Sequence, residues 1–439
     1  MPWLARYRVR HFLENSVCVF PIMAIFAAMG LARALHRLDA LMAAHVAMDP
    51  DAARTVLATL AASIFTCVAF ISSSLLLVVQ LASAQLTPRI IGSLFRDRPT
   101  KFAMTLFVFT FTLSIAALVR VGDTVPQLTV MIATYACVAS LATLLFLIDH
   151  IGRVLRPSGA MRVVARSGRN VIQAVYKRSL TDADETSAGA SDLPRGEPSL
   201  TFANLHDGVI LAVDIDGLVA RASRADALVQ IVPQVGDFVA AGEPLFRVFG
   251  GRAPIPPHAL RTSIALGPER TLEQDPTLAF RILVDVASKA LSPAINDPTT
   301  AVLAIDQIHH LLRTVAARRL NDGAVRDRNG ALRLVYPRPA WEDYVNLAVT
   351  EIRQFGCTSI QVARRLNAML TDLLQKLPEH RAPALRRQRD LLYGTCERSF
   401  PEPEDRALAE VGDFQGVGGS VRPRESILQE TIHDNFQSH

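Results

Sequence analysis

Four stretches of the chain contain no Asp, Glu, Lys or Arg: Asn15 to Ala32, Thr55 to Pro88, Phe102 to Val119 and Thr124 to Ile148. Each is 18 residues or longer, and a helix needs about 20 mostly apolar residues to cross roughly 30 Å of hydrocarbon. The pattern therefore predicts four transmembrane helices. The first apolar run exceeds the core of a signal peptide and reads as a retained span. Beyond residue 157 no such run recurs, and the period shortens. The segments GVILAVDIDGLVARA, ALVQIVPQVGDFV and EPLFRVFG read as short β segments, punctuated by Asp216-Gly217, Gly236-Asp237 and Gly242-Glu243-Pro244. Apolar residues then return at three and four spacing over Asp275 to Leu291, Pro298 to Leu320, Trp341 to Leu377 and Ala384 to Arg398, which predicts helices. Their charged faces, with Arg318, Arg319, Arg364 and Arg365, read as solvated.

The second apolar run is the most informative. Its 34 residues would extend about 51 Å as continuous helix at about 1.5 Å per residue, so it must tilt strongly or project beyond the bilayer. Thr59, Ser63, Thr66, Ser73, Gln80 and Thr87 recur along it at spacings of 4, 3, 7, 7 and 7, which places them on one helical stripe. Such a stripe is expected to avoid lipid. Two arrangements satisfy it: a helix–helix seam, or the wall of a water-filled pore in an oligomer. No ionisable residue lies in the middle of a span, where proton-coupled transporters keep one.

Charge sets the orientation. Arg6, Arg8 and Arg10 precede the first span, Arg89, Arg96, Arg98 and Lys101 fill the second connection, and Arg153, Arg156, Arg162, Arg166 and Arg169 follow the fourth. The positive-inside rule puts both termini in the cytoplasm of a bacterial inner membrane. The net charge of +5 is mostly this juxtamembrane arginine, which suits anionic lipid headgroups; no aromatic residues interleave with it, and nucleic acid is not an expected partner. Cys18, Cys67, Cys137, Cys357 and Cys396 form no CxxC motif and no disulfide framework.

Within the helical part, KALSPAINDPTTAV (Lys289 to Val302) interrupts the pattern. One helix ends near Leu291, Pro293 discourages its continuation, and Asp297 with Pro298 begins the next as N-cap and first helical residue. That explains the motif as a corner. The functional alternative gathers Lys289, Ser292, Asn296, Asp297, Thr299 and Thr300 at a helix start to bind an anion or polar ligand, against the opposing charge of Asp297. Lys289 and Ser292 stand in the reverse of the S-x-x-K order, and no GxSxG elbow is present, so catalysis is not expected. His309 and His310 are adjacent on a helix, their rings diverge, and no metal or cofactor is expected.

Two resemblances follow from these residues. PQVGDFVAAGEPLFRV is similar to half of a biotinyl/lipoyl-type β-barrel, but no lysine occurs between Gly208 and Arg252, so a covalent carrier role does not transfer. The four spans, QLASAQLTPRIIGSLFRD, His150-Ile151, GDFVAAGEPL and above all RILVDVASKALSPAINDPTTAV resemble the bacterial predicted-membrane-protein family called domain of unknown function 2254. Thr299 stands where phenylalanine is expected in that family. The resemblance implies a location and a domain plan and no reaction.

The expected architecture is an α-helical membrane protein with four transmembrane helices plus a cytoplasmic α+β portion. Its parts are a transmembrane domain over 1–156, a juxtamembrane linker over 157–200, a small β-barrel over 201–252, a helical domain over 253–400 and a disordered tail over 401–439. The expected function is an oligomeric channel-like or conduit-forming protein of the inner membrane. Its partners would be lipid, further copies of itself and an ion or small polar ligand. The alternative is a non-conducting scaffold or sensor that binds a partner or ligand at the SPAINDP corner.

Overall fold

The structure, a computed structural model of the full chain, describes residues 3–42, 49–85, 87–90, 97–122, 125–154, 156–180, 196–320 and 323–419. It divides into two compact units, Val9–Ala160 and Met1–Arg8 with Met161–His439.

The first unit contains most of α1 (Trp3–Asn15), then α2 (Val19–Met42), α3 (Pro50–Gln85), α4 (Arg98–Leu118) and α5 (Gln127–Val154). The last four are each long and apolar enough to cross a membrane. Helix α4 is the hub and packs against α2, α3 and α5. Its start is fixed by Asp97, whose carboxylate accepts from the Thr100 amide and hydroxyl, with the His150 ring nitrogen 2.9 Å away. Two apolar clusters hold the helices, one around Ala28, Leu57 and Leu113 and one around Ile64, Phe107 and Leu147. Between α4 and α5 the buried hydroxyls of Thr110 and Ser140 meet at 3.1 Å. In hydrocarbon that pairing spares both groups a search for water.

The second unit begins with α6 (Pro157–Val175). Strands β1 (Leu200–Ala203) and β2 (Gly208–Val213) follow, then α7 (Ile215–Ala225), β3 (Ala227–Ile231), β4 (Phe238–Val239), β5 (Pro244–Gly250), α8 (Pro257–Arg261) and β6 (Ile264–Gly267). Helices α9 (Pro276–Ala290) and α10 (Pro298–Ala316) are followed by β7 (Ala324–Arg326) and β8 (Leu332–Val335). Then come α11 (Trp341–Gly356), α12 (Ile360–Lys376), α13 (Ala382–Ser399) and α14 (Pro403–Glu410).

Among the described residues the strands form two open sheets, ordered β1-β5-β3-β8-β7 and β4-β2-β6, and no closed barrel. The larger sheet recruits β8, parallel to β3, from a stretch that carries no strand in the sequence reading. The expected β segment 208–222 is half helix. Asp214 caps α7 by accepting from the Gly217 amide at 3.1 Å, so Asp216-Gly217 lies in a first helical turn. Leu218, Ala222 and Ala225 then bury at helical spacing against the sheet. The Gly236-Asp237 turn forms as read: Gly236 adopts φ +96°, and Asp237 accepts from the Gln234 amide. The first turns of α1 belong to this unit too, with Trp3, Leu4 and Tyr7 against Val209, Leu211 and Ala265.

The helical layer is built around α9, whose N-cap Asp275 accepts from the amides of Thr277 and Leu278. The expected helix Trp341 to Leu377 is two helices, because Ser359 accepts from the Val362 amide and starts α12 afresh. Arg364 and Arg365, read as solvated, are buried. Arg364 donates to the carbonyls of Val411 and Gly418, and Arg365 pairs with Asp306 at 2.6 Å. The stretch read from its composition as disordered contains α14, and Asp413 beyond it accepts from the amides of Gln415, Gly416 and Gly418. Residues 420–439 of that stretch lie outside the described residues.

Candidate functional site

On α3 the buried face is Ala53, Leu57, Ala61, Ile64 and Ile71, spaced 4, 4, 3 and 7. Thr59, Ser63, Thr66, Ser73 and Gln80 lie about half a turn away and are exposed. The stripe thus faces outward from the four-helix unit, and a seam with the chain's own helices does not account for it. Thr87, the sixth member, lies past the end of α3 and is buried. Only 11% of the α3 span is buried, against 39% for α4, so the span that carries the stripe is also the least covered of the four. Within the stripe, Thr59, Ser63 and Thr66 donate to the carbonyls of Thr55, Thr59 and Ala62 at 2.8–2.9 Å. Back-bonding satisfies the donors and leaves small, close-packing side chains on the surface.

At the Lys289 to Val302 corner the polar groups serve the turn itself. Ser292 donates to the Lys289 carbonyl at 2.7 Å, and the Asp297 amide reaches back to the Ala290 carbonyl at 2.7 Å. Asn296 holds φ +47°, the left-handed conformation that asparagine tolerates. One Asp297 oxygen accepts from the Thr300 amide and the other from its hydroxyl. Pro298 starts α10 as read. Thr299 is exposed and Thr300 buried. Of the side chains offered for a ligand, Ser292, Asp297 and Thr300 are engaged in hydrogen bonds within the corner, Asn296 and Thr299 are exposed, and Lys289 is half-buried.

A third feature is assembled by the fold from two distant segments. Arg162, Arg166 and Arg169 on α6 and Gln307, His310, Arg313 and Thr314 on α10 line one open cleft of about 540 Å³. Helix α6 buries Met161, Val164, Ala165 and Ile172 on its other face. Gly168 lets it lie close to its neighbours, since a Cβ there would stand 2.6 Å from Ala279 Cβ and 3.2 Å from Leu311 Cδ2. The α6 arginines are legible at helical spacing in the sequence; their companions 140 residues on are not. Beside the cleft, His309 meets Asp372 at 2.8 Å, and Asp372 also takes Lys376 and lies 3.8 Å from Arg313. Burial holds the His309 imidazole below its ordinary value, so it is neutral and donates its Nε2–H. Burial alone would raise Asp372, but the hydrogen bonds from Lys376 and His309 outweigh it and leave the carboxyl below its ordinary value.

Comparison with known proteins gives one consistent result. A family model described as a predicted membrane protein, DUF2254, matches residues 14–372. Uncharacterized proteins of Mycobacterium bovis and Mycobacterium tuberculosis are 29% identical over 446 aligned positions, which cover 96% of this chain and 82% of each relative. No solved structure matches the chain.

Proposed function

We propose, from the premise that the chain belongs to the DUF2254 family of predicted membrane proteins, that copies of it assemble in the membrane through the polar face of α3 and enclose a conduit there. The observation that carries this reading is the outward stripe Thr59, Ser63, Thr66, Ser73 and Gln80, set opposite the buried face of the least covered span. Hydroxyl and amide side chains of this kind belong against protein or enclosed water rather than acyl chains. Phe70 and Leu77 lie on the same side of α3 and are exposed, so rings of copies would alternate polar and apolar belts, the second a dewetting constriction of the kind that gates pores.

The same reading places the protein in a bacterial inner membrane with both termini in the cytoplasm. Two features support that orientation: the arginine-rich connections, and the packing of Trp3, Leu4 and Tyr7 in the same unit as residues 161–439. That unit would then serve as a cytoplasmic vestibule or regulatory cap. The test is single-channel recording from full-length protein reconstituted in planar bilayers. Conductance should fall or vanish for Ser73→Leu and Gln80→Leu. Currents absent from the wild type, or unchanged in both variants, would remove the conduit.

A further inference from the structure

We infer that α1 is an interfacial helix: its edge Val9, Phe12 and Leu13 enters the bilayer surface beside the first span, with Arg6 and Arg8 at the level of anionic lipid headgroups. This rests on the reading of α2–α5 as membrane spans and is independent of the conduit.

The argument begins with the two sides of one short helix. At about 100° per residue, Trp3, Leu4 and Tyr7 fall on one side of α1, and these are the residues that pack against Val209, Leu211 and Ala265. Val9, Phe12 and Leu13 fall on the opposite side and are exposed, Phe12 at 63%. A helix that is apolar on both sides needs cover on both. The first side has the strands; the second is bare among the described residues.

Position, direction and charge together say what covers it. Lys101, buried in the first turn of the α4 span, donates from Nζ to the carbonyls of Leu13 and Glu14. The end of α1 is thereby held where a span enters the bilayer, at the depth of headgroups and upper acyl chains. The chain bends at Val17 and Cys18 before α2 begins at Val19, so α1 does not prolong that span. Exposed apolar surface nevertheless continues across the bend, from Phe12 and Leu13 to Phe20, Ile22 and Met23. Arg8 and Arg6, both exposed, border the edge on its two sides, about 40° beyond Phe12 and about 20° beyond Leu13. Arginine can lay its stem along apolar surface and keep its head at the phosphates, the arrangement of helices that lie in a membrane interface. Arg10 is engaged by Glu14 at 2.7 Å, so the headgroup role falls to the other two. A protein partner would need an acid placed against each arginine, whereas an anionic leaflet presents phosphate along the whole edge.

The test uses full-length protein without its five native cysteines, in nanodiscs of phosphatidylcholine and phosphatidylglycerol. A fluorophore is attached at Phe12→Cys and, separately, at Val9→Cys, with Asn329→Cys on an exposed turn as control; circular dichroism confirms that each variant is folded. Quenchers are iodide in the water and a nitroxide on the acyl chain of either lipid. Phe12→Cys and Val9→Cys should be quenched by the nitroxide and shielded from iodide, and Asn329→Cys the reverse. Nitroxide phosphatidylglycerol should quench Phe12→Cys at lower mole fraction than nitroxide phosphatidylcholine, and Arg6→Gln with Arg8→Gln should cut that preference about fivefold per arginine removed. Iodide quenching equal to that of Asn329→Cys would put the edge in water, and shielding from both quenchers would put it under protein, a second copy included; either result overturns the proposal. A preference unchanged in the double variant would overturn the headgroup role. None of these readings involves conductance, so the conduit can fail while the interfacial helix stands.

Discussion

Gly168 offers a perturbation whose sign separates two accounts of α6. In an unconstrained helix, glycine to alanine is stabilising by about 1 kcal/mol through propensity. At Gly168, however, the new Cβ would lie 2.6 Å from Ala279 Cβ and 3.2 Å from Leu311 Cδ2, whereas carbon atoms pack at about 3.5–4.0 Å. Ala279 Cβ is fixed to the α9 backbone and cannot swing aside, so α6 must move outward by about 1 Å. Overpacking of this kind costs roughly 1–3 kcal/mol, which exceeds the propensity gain across most of that range. Gly168→Ala is therefore expected to lower the thermal midpoint of the second unit by a few degrees, at about 2–4 °C per kcal/mol for a unit of this size, and Gly168→Val by more. The assay is thermal unfolding of full-length protein in detergent, followed by tryptophan fluorescence from Trp3 and Trp341, both in this unit. A midpoint raised by Gly168→Ala would refute the close docking of α6 and remove the structural basis of the arginine cleft.

Three further outcomes follow from buried polar pairs. Tyr176 and Tyr344 share a hydrogen bond of 2.9 Å between buried hydroxyls whose ionisation burial pushes well above the ordinary tyrosine value. Tyr344→Phe should cost about 1–3 kcal/mol by orphaning the Tyr176 hydroxyl; the double phenylalanine variant should recover part of that, and a double variant worse than the sum of the singles would contradict the pairing. For Thr110 and Ser140, a double-mutant cycle with Thr110→Val and Ser140→Ala in detergent should give a favourable coupling of about 0.6 kcal/mol, with a coupling of zero as the opposing result. His309 is held neutral by burial, so the unfolded chain takes up a proton near pH 6.5 that the folded unit resists. Its contribution is present above that pH and lost as the pH falls through the depressed folded value, and the carboxylates Asp372 and Asp413, both below their ordinary value, add a second loss under about pH 4. Denaturant titrations between pH 7 and about 5 should show this slope in the wild type and a flatter one in His309→Gln; identical slopes would rule out the neutral buried imidazole.

The membrane half was legible because its signal is one-dimensional. A span declares itself by the absence of charge over a length fixed by the bilayer, and Thr59, Ser63, Thr66, Ser73 and Gln80 declare a common face by periodicity alone. Which way that face points depends on the partners of Leu57, Ile64 and Ile71, and those are set by tertiary packing. In the second unit local pattern misled where a capping side chain overrode it: Asp214 turns the second half of an apparent strand pair into α7, and Ser359 breaks one predicted helix into two. Arg364 and Arg365 read as solvent-facing because a charged pair on a helix usually is; the residues that cover them, Val411 to Gly418 and Asp306, lie far along the chain. Strand β8 escaped notice for the same reason, since four residues acquire strand identity only by pairing with β3. The arginine cleft needed both α6 and α10, and no local window contains them.

The central claim is that the outward polar face of α3 meets another copy of the chain. Disulfide trapping in native membranes tests it most directly. Ser73→Cys is placed in a background without the five native cysteines, beside Leu145→Cys on the exposed face of α5 as a control. The account predicts that Ser73→Cys cross-links chain to chain on mild oxidation while Leu145→Cys does not. A Ser73→Cys chain that stays monomeric, and is quenched by a lipid-borne probe as readily as the control, would contradict it.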